Sequence, residues 1–179
     1  EWLPGFSGSA GTAVVLAGKA AMFVDGRYTL QAKEQVDGAL FEQHNIADMT
    51  PEVWLAKHAS AGARIGYDPK LYTQGAVKYI ESALGKKGVE PIACANLVDA
   101  VWKDRPAAPA SPLFIHEMKY SGEESSAKRR RIAESIKAAG ADAAIISAPD
   151  AVCWLLNVRG HDVENSPLAL ATAIIDAEG

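Results

Sequence analysis

Cysteine is nearly missing from this 179-residue chain: there are two, Cys94 and Cys153, far apart and each in apolar surroundings. A disulfide-stapled secreted scaffold is thereby excluded, and two free thiols in a reducing, cytoplasmic compartment are expected. No apolar run approaches the ~20 residues of a membrane-spanning helix, so no membrane partner is expected. Excess positive charge is absent too. The formal net charge is −4, against the basic face that nucleic-acid binding requires. The one basic cluster, Lys128 to Arg131, follows Glu123 and Glu124 and reads as the solvated face of a helix.

Catalytic signatures are equally sparse. The four histidines, His44, His58, His116 and His161, stand at no ligand spacing, and neither a His-Glu-x-x-His helix nor a Cys-x-x-Cys pair occurs. Gly8-Ser9-Ala10-Gly11 is one residue short of a nucleophile elbow. Gly5, Gly8 and Gly11 lack the preceding strand and the Lys-Ser/Thr ending of a phosphate cradle, and read as a structural turn. The residues present thus give neither a complete active site nor a cofactor site.

What is there is ordinary globular material, 49% apolar and 22% charged. Thr12 to Leu16 and Ala20 to Val24 are β-rich runs around Ala17-Gly18-Lys19, which predicts a hairpin. Tyr28 to Val36 reads as a short helix. Thr50-Pro51-Glu52 is a helix start, and Thr73 caps a helix whose Ala76, Val77, Ile80 and Leu84 recur at three- and four-residue spacing. Arg64 to Tyr67 and Val89 to Cys94 read as strands, and Asn96 as the cap of a helix from Leu97 to Trp102. Arg105 to Pro112 carries three prolines and predicts a stiff connection. Beyond it come a helix from Ser125 to Ala139, a strand from Ala143 to Ser147, a helix from Pro149 through Leu156, a polar loop and a strand from Leu168 to Ile175. Alternating helices and strands make the class α/β. The expected division is a first module over 1–105, a linker over 106–112 and a second module over 113–179. Trp54, Trp102 and Trp154 are expected in cores, and Tyr28 and Tyr120 at core edges or interfaces.

The modules share a pattern. Trp2-Leu3, a glycine loop, a strand, a glycine turn and a second strand in the first correspond to Trp154-Leu155, a loop with Gly160, a strand and a turn with Gly179 in the second. The second has a helix and a strand before its tryptophan, and the first has a strand after its turn. This reading expects a longer parent chain at both ends, since a lone hairpin arm leaves backbone groups unpaired.

Local strings add a resemblance. Gly5-Phe6-Ser7-Gly8-Ser9-Ala10-Gly11-Thr12-Ala13, Val24-Asp25-Gly26-Arg27-Tyr28 and Gly66-Tyr67-Asp68-Pro69 resemble motifs of creatinase-type N-terminal domains. Asn96-Leu97-Val98-Asp99 with Trp102 to Pro106, and Trp154 to Val163 with Asn165-Ser166-Pro167, are similar to segments of three-domain Xaa-Pro aminopeptidases. The resemblance covers nearly the whole chain. It implies two creatinase N-terminal-like modules with mixed β-sheets flanked by helices, forming the non-catalytic N-terminal region of such an enzyme and shaping substrate access and dimerisation. The implied parent is a cytosolic homodimer that removes the first residue from peptides with proline second. Two divalent metals, usually manganese, would lie in a C-terminal catalytic domain, to which this chain contributes no ligand. The resemblance also implies that Arg27 reaches the substrate peptide; the alternative is an ion pair with a nearby carboxylate. Arg159 is a further substrate-binding candidate, within a polar cluster with His161 and Asp162 that could instead order an interface loop. A stand-alone interaction module without catalysis, and a creatinase-like amidinohydrolase, are the competing readings.

Overall fold

A computed structural model describes all residues, 1–179, as two compact units, Glu1–Arg105 and Pro106–Gly179. In the first unit, β1 (Gly11–Leu16) and β2 (Lys19–Val24) form the expected antiparallel hairpin, with Leu16 opposite Lys19 across a two-residue turn. A 3-10 turn (Gly26–Tyr28) leads into α1 (Thr29–Gln35), which crosses over to β3 (Glu42–Asn45), parallel to β2. The sheet order is β1-β2-β3. Then come α2 (Pro51–His58), β4 (Arg64–Tyr67), α3 (Gln74–Leu84), β5 (Glu90–Ala93) and α4 (Leu97–Val101), with β4 and β5 forming a parallel pair.

Helix starts obey the capping rules: Thr50, Thr73 and Asn96 each accept a backbone N–H of the first turn. The central strand β2 is buried on both faces, which is why it reads as a continuous apolar run rather than an alternating one. Ala21 and Phe23 pack with Trp54, Leu55, Leu84 and Val89, whereas Met22 and Val24 pack with Phe6, Ala32, Val36 and Phe41 on the opposite side.

β3 has no counterpart in the sequence reading. Its residues are polar, and each side chain finds a partner in the fold. Glu42 accepts from Trp54, Gln43 donates to the Val36 carbonyl, and the His44 ring stacks on Phe23 with centroids 5.4 Å apart.

The second unit holds β6 (Phe114–Ile115), α5 (Met118–Ser121), α6 (Ser125–Ala138), β7 (Ala143–Ile146), α7 (Pro149–Leu156), β8 (Val158–Arg159) and β9 (Ala173–Asp176). β6 pairs with β8 and β7 with β9, both antiparallel. Its small core centres on Ile136, Leu155 and Ile175. The α/β expectation holds, with parallel and antiparallel pairings in small sheets beside helices. No helix is long and apolar enough to cross a membrane. Cys94 and Cys153 are both free, Cys153 buried and Cys94 half-buried.

Three expectations need correction. The strand expected from Leu168 begins only at Ala173. Before it, backbone groups are taken by local turns and by a carboxylate, as in Leu168 N to Ser166 O at 2.8 Å and Leu170 N to Asp162 Oδ2 at 2.9 Å. Trp154 is 42% exposed rather than core. Lys128, read as part of a solvated face, is 2% exposed. Its ammonium donates to the Trp154 carbonyl at 2.9 Å and to Asn157 Oδ1 at 2.7 Å, and lies 4.5 Å from the Trp154 ring centroid. The lysine thereby binds the C-terminal end of α7, where the helix dipole favours a cation. Asn157, at φ 52°, terminates that helix in the left-handed region.

Candidate functional site

The two strings that stand out in the first unit, Gly5 to Gly11 and Asp25 to Tyr28, fold against each other. Phe6 is buried and folds back over its own loop. A Cβ at Gly8 would lie 2.2 Å from Phe6 Cζ, and one at Gly11 would lie 2.8 Å from Phe6 Cε1. Both positions therefore lack room for a side chain, and the glycines serve packing. Tyr28 meets Phe6 edge to face, with centroids 5.8 Å apart, and its hydroxyl is 2.7 Å from Ser9 Oγ. Gln31 and Gln35 of α1 complete the attachment: Gln31 Nε2 donates to Ser7 Oγ, and Gln35 Oε1 accepts from Ser7 N at 3.0 Å.

This platform presents Arg27. Asp25 ends β2 and caps the 3-10 turn by accepting from Arg27 N at 2.9 Å. The same carboxylate takes Arg27 Nε at 3.1 Å and Nη2 at 2.6 Å. This pairing raises the arginine pKa and lowers that of Asp25 below the usual carboxylate range. The carboxylate alternative foreseen for Arg27 is thus present, yet it leaves much of the guanidinium free. The Arg27 side chain is 75% exposed, and Nη1 has no partner in the structure. Asp25 fixes one edge of the group and leaves the remaining N–H donors without a partner on an exposed side chain, and a planar guanidinium with free donors can bond a carboxylate or a peptide carbonyl. The guanidinium also lies 5.4 Å from the Tyr28 ring centroid, which further limits its motion.

Arg159 belongs to the second unit and is half-buried on β8. Its Nη1 donates to the Val158 carbonyl at 2.9 Å and, more weakly, to that of Cys153 at 3.4 Å. Its neighbours have structural work. Asp162 accepts from Ser111 N at 2.7 Å and from Leu170 N, and these bonds, Ser111 first, keep its pKa below the usual range. His161 donates its backbone N–H to Ser111 Oγ and stacks its ring on Phe114, centroids 5.2 Å apart. A carboxylate saturated by backbone donors and a histidine stacked on a ring tie a loop to the segment around Ser111.

No three His, Cys, Asp or Glu side chains are close enough together to hold a metal ion. The histidines are separately engaged: besides His44 and His161, His58 lies against Trp54 and His116 against Tyr120. The residues present do not fit a dinuclear metal centre. The sequence reading also missed a cluster on the far side of β2, where Glu42 joins Lys19, His44 and Trp54. Its members come from three elements, and only the fold brings them together.

Against known proteins, residues 1–101 match a family model described as Creatinase/Prolidase N-terminal domain, and residues 104–179 match a second model of the same description. Aminopeptidase P2 of Arabidopsis thaliana is 38% identical over 182 residues, covering 99% of this chain and 26% of the relative. A probable Xaa-Pro aminopeptidase P of Aspergillus fumigatus is 40% identical, covering 98% of this chain and 27% of the relative. Among solved structures, an X-prolyl aminopeptidase from Caenorhabditis elegans, described as a cytosolic enzyme with a di-nuclear active site, superposes with a TM-score of 0.90 at 33% identity. That match covers 98% of this chain and 29% of the enzyme. The chain therefore spans somewhat over a quarter of the length of these relatives.

Proposed function

Because the chain belongs to the creatinase/prolidase N-terminal domain family, we propose that it is the non-catalytic N-terminal region of an Xaa-Pro aminopeptidase, a hydrolase that removes the first residue from peptides with proline second. The observation that carries this reading is the similarity along both units at once to aminopeptidases P, in sequence and, for the Caenorhabditis elegans enzyme, in three dimensions. On this reading 1–105 and 113–179 are two creatinase-like modules joined by the proline-rich 106–112. They shape access to a catalytic domain elsewhere in the parent and contribute to its homodimer. The parent is cytoplasmic, as the Caenorhabditis elegans relative is described to be.

The part this chain plays in the reaction is binding and orientation. Arg27, held at one edge by Asp25, offers its free fork to a carbonyl or terminal carboxylate of the peptide. Fixing the guanidinium beforehand lowers the entropy lost when substrate binds. Arg159 is a second, weaker candidate for substrate contact, since its Nη1 is already engaged with backbone carbonyls. Two divalent metal ions, manganese on this reading, supply the hydrolytic chemistry in the catalytic domain. No group of residues in 1–179 fits them, so no step through them is derived from this chain.

Activity on an Xaa-Pro tripeptide, measured with and without manganese for the parent and for 1–179, tests the assignment. Hydrolysis by the metal-loaded parent alone is expected. Hydrolysis by 1–179 would reveal an overlooked active site, and an inert parent would leave a binding module in place of an enzyme. Within an active parent, Arg27→Ala is expected to lower kcat/KM about 10- to 100-fold, the effect of losing a charge-assisted, bidentate contact. Unchanged kinetics would remove Arg27 from the substrate's surroundings.

A further inference from the structure

Two stretches of the first unit share one local sequence, Val24-Asp25-Gly26 and Val36-Asp37-Gly38. An aspartate followed by glycine is open to spontaneous rearrangement, because no side chain shields the glycine nitrogen as it attacks the aspartate carboxyl. The two stretches also share a local hydrogen bond. Asp25 Oδ1 accepts from Arg27 N at 2.9 Å, and Asp37 Oδ1 accepts from Ala39 N at 2.8 Å. Each bond reaches past the glycine and folds the carboxyl back toward the amide between them. Local sequence and turn chemistry therefore leave the two aspartates equally placed to react.

Their surroundings differ. Asp37 and Gly38 are both exposed, in the turn from α1 to β3. A Cβ at Gly38 would meet no atom within 4 Å, and the Gly38 N–H donates to no protein acceptor. The Ala39 N–H is the one protein partner of the Asp37 carboxylate. Asp25 has both oxygens engaged instead. Arg27 Nε donates to Oδ1 at 3.1 Å and to Oδ2 at 3.2 Å, and Arg27 Nη2 donates to Oδ2 at 2.6 Å. Loss of water from a carboxyl group proceeds from the protonated acid. The side-chain bonds from Arg27, the largest cause, hold the Asp25 pKa below the usual carboxylate range. Each unit of lowering removes about tenfold of the reactive acid near neutral pH. The same bonds resist the side-chain rotation that carries Asp25 Cγ onto Gly26 N.

We propose that Asp37-Gly38 is a site of spontaneous isoaspartate formation in the folded protein, and that the matching Asp25-Gly26 is spared because Arg27 grips its carboxylate. The reaction balances with water alone. Gly38 N bonds to Asp37 Cγ, the Cγ–OH bond breaks, and the hydroxyl leaves with the amide proton as water. The cyclic imide then takes up water and opens at the bond between the Asp37 main-chain carbonyl carbon and Gly38 N. The main chain now runs through Cβ and Cγ, the free carboxylate sits on Cα, and the mass is unchanged. The turn is longer by a methylene group. Asp37 O there accepts from Leu40 N at 3.1 Å and from Phe41 N at 2.9 Å. Val36 and Phe41, on either side, are anchored in the core at 4% and 7% exposure. Lengthening the turn between two anchored side chains disturbs their packing and weakens the first unit. Neither step requires peptidase activity, so an inert parent would leave the site as it is.

Ageing the parent protein at mildly acidic pH, followed by peptide mapping with electron-transfer fragmentation to separate aspartyl from isoaspartyl peptides, tests both halves of the proposal. In the native parent, isoaspartate is expected to accumulate at residue 37 at least about tenfold faster than at residue 25. In the parent unfolded in urea, the shared Val-Asp-Gly sequence should give the two sites similar rates. Arg27→Ala is expected to raise the native rate at residue 25 by about tenfold or more and to leave the rate at residue 37 unchanged. The isoaspartyl fraction of the aged protein should unfold at a lower urea concentration than the intact fraction. Equal native rates at the two sites would overturn the proposal. So would an absence of isoaspartate at residue 37 over a period in which the unfolded chain forms it. An unchanged rate at residue 25 in Arg27→Ala would remove the guarding role of the arginine. A difference in urea as large as the native one would assign the contrast to flanking sequence, and either of these results also overturns the proposal.

Discussion

Substituting Glu42 by glutamine, and unfolding both proteins in urea at a series of pH values, tests how the polar strand β3 is held in the first unit. The Glu42 carboxylate accepts from Trp54 Nε1 at 2.8 Å and from Lys19 Nζ at 2.9 Å, with His44 Nε2 3.4 Å away. The tryptophan bond first, and the lysine next, bring its pKa down from 4.5 to about 2. Because the folded value is the lower one, the contribution to stability is fully present above the unfolded pKa of 4.5 and is lost as pH falls through about 2. A shift of that size, expressed without screening, corresponds to about 3 kcal/mol. The carboxylate side chain is 41% exposed, so solvent screening reduces the expected value to about 1 kcal/mol. Glutamine keeps an oxygen for Trp54 Nε1 and loses the charge. The stability difference between the two proteins, from urea midpoints and slopes followed by far-UV circular dichroism, should therefore be about 1 kcal/mol near neutral pH. It should shrink toward zero between pH 4.5 and about 2. A difference that stays constant across that window, or one under about 0.3 kcal/mol at neutral pH, would refute the account of Glu42.

Other substitutions probe the remaining arguments. Gly8→Ala places a Cβ 2.2 Å from Phe6 Cζ, against a ring that is only 3% exposed, and should cost about 1–3 kcal/mol; an unchanged urea midpoint would mean that the loop adjusts freely. Lys128→Met keeps the aliphatic stem but removes the donor for Trp154 O and Asn157 Oδ1, and should cost about 2 kcal/mol and lower the thermal midpoint. An equally stable variant would show that desolvating the ammonium offsets its bonds. In an active parent, Asp25→Asn should weaken the clamp on Arg27 and lower kcat/KM by less than Arg27→Ala does, through KM more than kcat; a larger loss than Arg27→Ala would point to a role for Asp25 of its own.

Much of the local structure was legible because local chemistry dictates it. The hairpin around Ala17-Gly18, the caps at Thr50, Thr73 and Asn96, the spacing of Ile80 and Leu84 and the end of α6 near Gly140 each follow from neighbours within a few residues. The family, too, could be recognised from strings such as Asp25-Gly26-Arg27-Tyr28, before any coordinates. The misses share the opposite origin. β3 carries no hydrophobic alternation, and it forms because β2 offers an edge and Trp54, Val36 and Phe23 offer partners. The residues from Leu168 to Thr172 have the apolar character of a strand, but Ser166, Asp162 and Pro167 exchange backbone bonds that turn the chain aside until Ala173.

By itself, then, the sequence determined the α/β class, most helix boundaries, the free cysteines and the creatinase-like family. These rest on composition, on short-range periodicity and on motif spacing, which act along the chain. Only the tertiary structure decided that Lys128 is buried at the end of α7 while Trp154 stays partly exposed, and that Glu42 meets Lys19 and Trp54. Burial of a charge and the assembly of a polar cluster from three elements depend on which distant residues meet, and no local pattern encodes that meeting.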